Sequence, residues 1–149
     1  MKKKSMKVLA SLAVTISAFT TMNAQTNLGA SCGCPPVSGR TEINLTSLPG
    51  YVAVAGTFGG ELTAGATLTC NNTYIIDKKI YIPAGQSINI APGTVLKGAA
   101  NVIPSEATAL VIERGGKIFA SGTESCPIVF TAQADPMDGT YAISNIGKW

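Results

Sequence analysis

Histidine is absent from the 149 residues. That removes Ser-His-Asp and Cys-His nucleophilic catalysis together with every imidazole metal ligand. Charge is scarce as well: 13% of residues are ionic against 46% hydrophobic, a balance that argues against disorder. The formal net charge of +3 misleads, because Lys2, Lys3, Lys4 and Lys7 crowd the first seven residues. Without those four lysines, seven basic residues face eight acidic ones and the net charge is −1. A nucleic-acid partner is excluded, since no basic stripe remains to meet phosphates. Helical 3.6-residue periodicity is missing outside the first two dozen residues, so very little helix is expected.

No apolar run is long enough to span a bilayer, which takes about 18 residues. The longest, Val8 to Phe19, is interrupted by Ser11, Thr15 and Ser17. With its lysine-rich start and the small-residue site Met22-Asn23-Ala24, residues 1–24 have the layout of a secretory signal peptide. Leu28-Gly29-Ala30-Ser31-Cys32 loosely resembles a lipidation box, but it lies too far beyond the apolar run. The expected product is exported, secreted or held at the cell surface, with no membrane span.

In an exported chain, Cys32, Cys34, Cys70 and Cys126 are candidate disulfide cysteines. A four-thiolate zinc site is disfavoured because the two-residue spacer is missing. Pairing Cys32 with Cys34 would strain the backbone. One of them with Cys70, or Cys70 with Cys126, remain open.

What the chain does have is glycine, 16 residues, and eight prolines among short apolar runs. After a polar, turn-rich segment the runs become regular: Tyr74–Ile76, Ile80–Ile82, Ile88–Ile90, Val95-Leu96, Leu110–Ile112, Ile118-Phe119 and Ile128–Phe130. Gly56 to Gly60 reads as a turn region. Ile88 and Ile90 align with Leu110 and Ile112 at a separation of 22, Gly93 with Gly115 at 22, and Val95 with Ile118 at 23. Three brief strands per repeat, parted by glycine corners, predict an all-β solenoid, a right-handed parallel β-helix of few coils. A β-sandwich is the competing fold, but its strands are longer and its hairpins use Asn-Gly or Asp-Gly turns. The expected organisation is a signal peptide over 1–24, an N-terminal capping segment over 25–66 and β-helix coils over 67–149.

The stretch from Leu68 to Pro136 resembles the N-terminal part of exported bacterial β-helix proteins that commonly carry a type IX secretion sorting domain. The carrying residues are Asn72 to Asp77, Gly85 to Gly98, Ala109 to Ile118 and Pro127 to Thr131. The resemblance implies architecture and export, and no transferable catalytic activity. In such relatives, further coils and a sorting tail would follow Trp149. The C-terminal edge is therefore expected to need further coils or a partner: either the chain is a fragment, or a partner covers that edge.

Asp135-Pro136-Met137-Asp138-Gly139 holds the one close pair of carboxylates, and it reads as a turn whose Asp side chains bond their own backbone. Phe119 and Phe130 align with ladder positions and are expected in the core. Tyr81, between Ile80 and Ile82, is turned outward by strand alternation and is the candidate exposed binding aromatic. No catalytic residue, cofactor or metal ligand is assigned. The expected function is a non-enzymatic structural or adhesive surface module whose partner is a glycan, a matrix or a surface protein. The alternative is the N-terminal part of a carbohydrate-active, lyase- or hydrolase-like β-helix with its catalytic coils beyond Trp149.

Overall fold

A computed structural model describes residues 28–100, 103–142 and 144. The signal peptide assigned to 1–24 and Trp149 lie outside the described residues. Eleven strands and four short 3-10 turns make up the regular structure among them.

The strands are β1 (Thr41–Asn44), β2 (Tyr51–Ala53), β3 (Gly59–Leu62), β4 (Ala66–Leu68), β5 (Asn72–Ile76), β6 (Lys79–Ile82), β7 (Ser87–Ile90), β8 (Val95–Gly98), β9 (Ala109–Ile112), β10 (Lys117–Ala120) and β11 (Val129–Ala132). They form three sheets. Face 1 is β2-β3-β6-β9, face 2 is β4-β7-β10 and face 3 is β1-β5-β8-β11. Every pairing is parallel except β2 with β3. The chain therefore visits faces 1, 2 and 3 in the same order three times, as β3-β4-β5, β6-β7-β8 and β9-β10-β11. That is an all-β, parallel β-helix solenoid.

Alternation within each short strand sends every second side chain into the lumen. Ile80 and Ile82 of face 1, Ile88 and Ile90 of face 2, and Tyr74, Ile76 and Leu96 of face 3 all pack there. Leu45, from the 3-10 turn Leu45–Ser47, joins the same core. Strands of three to five residues could not bury a face singly; stacking makes the ladders continuous.

The register corrects the repeat expected from the sequence. Ile82 pairs with Ile112 and Ile80 with Leu110, whereas Ile90 pairs with Leu68 and Ala120. Ile90 and Ile112 are thus on different faces and are not neighbouring rungs. Val95 pairs with Val129 rather than Ile118, and Gly115 stacks beside Gly85, whose N–H donates to its carbonyl at 3.0 Å, rather than Gly93. The 22-residue spacing does occur, between Ala66 and Ile88 and between Thr73 and Val95. It fails for the third coil because the connections after β8 and β10 are longer. Coils also begin earlier than residue 67, since β3 already pairs in parallel with β6.

Face 3 is covered on its outside. Val37 and Met137 pack on Val95, with Leu28 and Val129 against them. Two disulfides, Cys34–Cys70 and Cys32–Cys126, tie this N-terminal segment to the first and third coils. Cys34 seats in a gap left by two glycines: a Cβ at Gly29 or Gly93 would stand 2.9 or 2.8 Å from its Sγ. Buried Arg40 fastens the same segment by donating to the carbonyls of Pro35 (3.0 Å), Gly93 (2.9 Å) and Leu28 (2.7 Å). Burial lowers its pKa from the ordinary guanidinium value.

Candidate functional site

With face 3 covered over β5 and β8, the outer sides of faces 1 and 2 offer more open surface. Face 1 carries the concave surface. Its outward rungs are Gly59–Lys79–Ala109 and Glu61–Tyr81–Val111. The loop between β2 and β3 walls one side and the 3-10 turn Pro104–Glu106 another.

Two depressions share Tyr81 and Thr57. The larger, about 480 Å³, is lined also by Gly56, Phe58, Lys79, Ser105 and Glu106. The smaller, about 170 Å³, is lined also by Val54, Glu61 and Glu113. Tyr81 is half-buried, its ring the floor between them. Gly59 lets the strands approach here, because a Cβ there would stand 2.5 Å from Lys79 O, 2.9 Å from Lys79 Cβ and 3.2 Å from Tyr81 Cε2.

The loop wall is held by its own hydrogen bonds. Thr57 donates to the Val54 carbonyl from both N–H (3.2 Å) and Oγ1 (2.9 Å), and Val54 N–H donates to Gly59 O at 3.1 Å. Lys79 Nζ donates to Ser105 O at 3.1 Å, linking the floor to the opposite wall. Lys78 Nζ lies 5.6 Å from the Phe58 ring centroid, a cation-π contact that steadies the loop. Beneath the loop, the ring of Tyr51 fills the space that Gly60 leaves by having no Cβ. The Tyr51 hydroxyl is buried without a hydrogen-bond partner. Burial first, and then the charge of Asp77, push its phenol above the usual value of 10.0.

The other singled-out residues serve structure. Asp135 accepts from Met137 N–H at 2.8 Å and Thr131 Oγ1 at 2.6 Å, and Asp138 accepts from Thr140 N–H at 2.9 Å and its hydroxyl at 2.6 Å. Thr140 thereby holds the Asp138 carboxyl below the ordinary range. Buried Lys97 donates to Asp135 O at 2.9 Å. Asp77 accepts from Thr46 Oγ1 at 2.5 Å.

The two phenylalanines expected in the core are exposed. Phe119 (53% exposed) pairs with outward Asn89 on face 2. Phe130 (42% exposed) follows the inward ladder of Tyr74 and Leu96, but no strand pairs beyond β11 among the described residues to cover it. Glu61 and the Thr57-Phe58 wall were hidden in a stretch that reads as a turn, because Gly59-Gly60 carries no strand signal.

No group of three His, Cys, Asp or Glu side chains among the described residues could hold a metal ion together, and no helix among them is long and apolar enough to cross a membrane. No curated protein and no solved structure matches the chain. Residues 60–142, more than half of the sequence, match the family model described as the pectate-lyase like beta helix domain. The match spans β4 to β11 and the face 1 rung of Glu61, Tyr81 and Val111, so the chain belongs to the pectate-lyase-like β-helix domain family.

Proposed function

We propose that this chain is an exported, right-handed parallel β-helix that acts as an adhesive surface module and binds glycan on face 1 without catalysis of its own. The single observation that supports this most is Tyr81, an aromatic ring facing outward on the middle strand and shared by two adjoining depressions. A pyranose presents an apolar C–H face, and an aromatic ring beside polar groups is a common surface for it. Thr57, Lys79, Ser105 and Glu61 supply hydroxyl, ammonium and carboxylate groups around that ring. Export is supported by the lysine-led apolar leader and by two disulfides, which persist in oxidising compartments.

A glycan array probed with the purified exported chain and with Tyr81→Ala tests this. Retained sugars that the substitution releases support the reading; a folded sample that retains none, or that binds equally after the substitution, contradicts it.

A second reading has its own observation: Glu61 and Glu113 line one depression, and paired carboxylates are the usual apparatus of sugar cleavage. Release of new reducing ends from a polysaccharide, lost in Glu61→Gln and Glu113→Gln, would favour that carbohydrate-active reading.

A further inference from the structure

Within the smaller depression, the charges are of one sign. Glu61 stands on the rung beside Tyr81, Glu113 closes the far end of β9, and Val54 and Thr57 complete the wall. None of its lining residues is a cation. Two neighbouring lysines are engaged in contacts of their own. Lys79 is tied to Ser105 O in the adjoining depression, Lys78 lies over the Phe58 ring, and Arg114 sits beyond Glu113 at an exposed corner.

We infer that this depression takes an amine-bearing sugar, a glucosamine-type residue, with its ring on Tyr81 and its ammonium between Glu61 and Glu113. This rests on the glycan-binding reading and names the substrate class. Two independent features converge. An aromatic face attracts both the C–H side of a pyranose and an adjacent ammonium. Two carboxylates without a lining cation attract that same ammonium and repel the carboxylates of a uronate polymer. A sugar amine, its nitrogen bonded directly to a pyranose ring carbon, is the common glycan substituent that satisfies both.

Three oligosaccharides of equal length separate the possibilities: a glucosamine hexamer, its fully N-acetylated form and a galacturonate hexamer. Affinities are measured by calorimetry at low salt on the exported chain. The glucosamine hexamer should bind about fivefold or more tighter than the acetylated one, the effect of one or two partly exposed ion pairs. The galacturonate hexamer should bind weakest. In Glu61→Gln/Glu113→Gln the ratio between the amine and the acetylated form should fall toward one, with circular dichroism showing the same β spectrum. Binding that Tyr81→Ala abolishes, but that shows no amine preference or favours galacturonate, overturns the inference and leaves the glycan-binding reading standing. Absence of any Tyr81-dependent binding overturns both.

Discussion

Ile82 and Ile112 are register partners on neighbouring strands of face 1, thirty residues apart in sequence. Ile82 is fully buried with a strand on each side, whereas Ile112 lies on the last coil described and is half-buried. Ile82→Ala should cost about 2–5 kcal/mol and Ile112→Ala distinctly less, because a site on the end rung collapses or hydrates more easily. Urea unfolding of the two variants checks this; equal losses would mean that the two positions are buried alike.

The disulfides give a connectivity that peptide mapping can read directly. Digestion without reduction should yield peptides linked Cys32 to Cys126 and Cys34 to Cys70. Removing the long-range bridge by Cys32→Ser/Cys126→Ser should lower stability by about 2–5 kcal/mol, since it closes the longer loop of the unfolded chain. A Cys70–Cys126 peptide would contradict the seating of Cys34 between Gly29 and Gly93.

Arg40 holds three carbonyls with no carboxylate among its bonds. Arg40→Met keeps the stem packing but leaves those acceptors without a donor. The expected loss is about 2–4 kcal/mol, together with faster proteolysis of the segment before β1. A variant as stable as the parent would show that water replaces the guanidinium at no cost.

Tyr51 sets an alkaline limit. Its phenol titrates above the usual 10.0 in the folded protein because burial, and then Asp77, oppose the phenolate. Its contribution to stability is therefore fully present below pH 10 and is lost as pH rises through the higher folded value. Tyr51→Phe should be close to neutral at pH 7, where it removes a buried hydroxyl without a partner. Above pH 10 the parent should lose stability more steeply than the variant in parallel thermal melts. Identical slopes would place the phenol in solvent.

Much of the fold is legible in the residues because strand alternation and glycine corners are local. The runs at Ile80–Ile82, Ile88–Ile90 and Leu110–Ile112 became β6, β7 and β9, and the alternation that buries Ile80 and Ile82 turns Tyr81 outward. Register is not local. Two coils of unequal length place Ile112 opposite Ile82, and no spacing rule distinguishes that from an alignment with Ile90. Face assignment also defeated the two phenylalanines: Phe119 alternates outward, and Phe130 points inward on β11, the last strand of its sheet among the described residues. β3 escaped notice because its glycines are selected by what must fit beside them, the carbonyls of Lys79 and Val52 and the ring of Tyr51, rather than by strand propensity. The site inherited that blind spot, since Glu61 belongs to β3.

The outward placement of Tyr81 depends on its rung, and a slip of one residue would send the ring into the core. Cross-strand amide contacts in a nuclear Overhauser spectrum of the isotope-labelled protein test that rung most directly. Contacts joining Glu61 to Tyr81 and Tyr81 to Val111, with Ile82 joined to Ile112, are the predicted result. Contacts joining Ile90 to Ile112 as strand neighbours, or Tyr81 to Ile112, would contradict it.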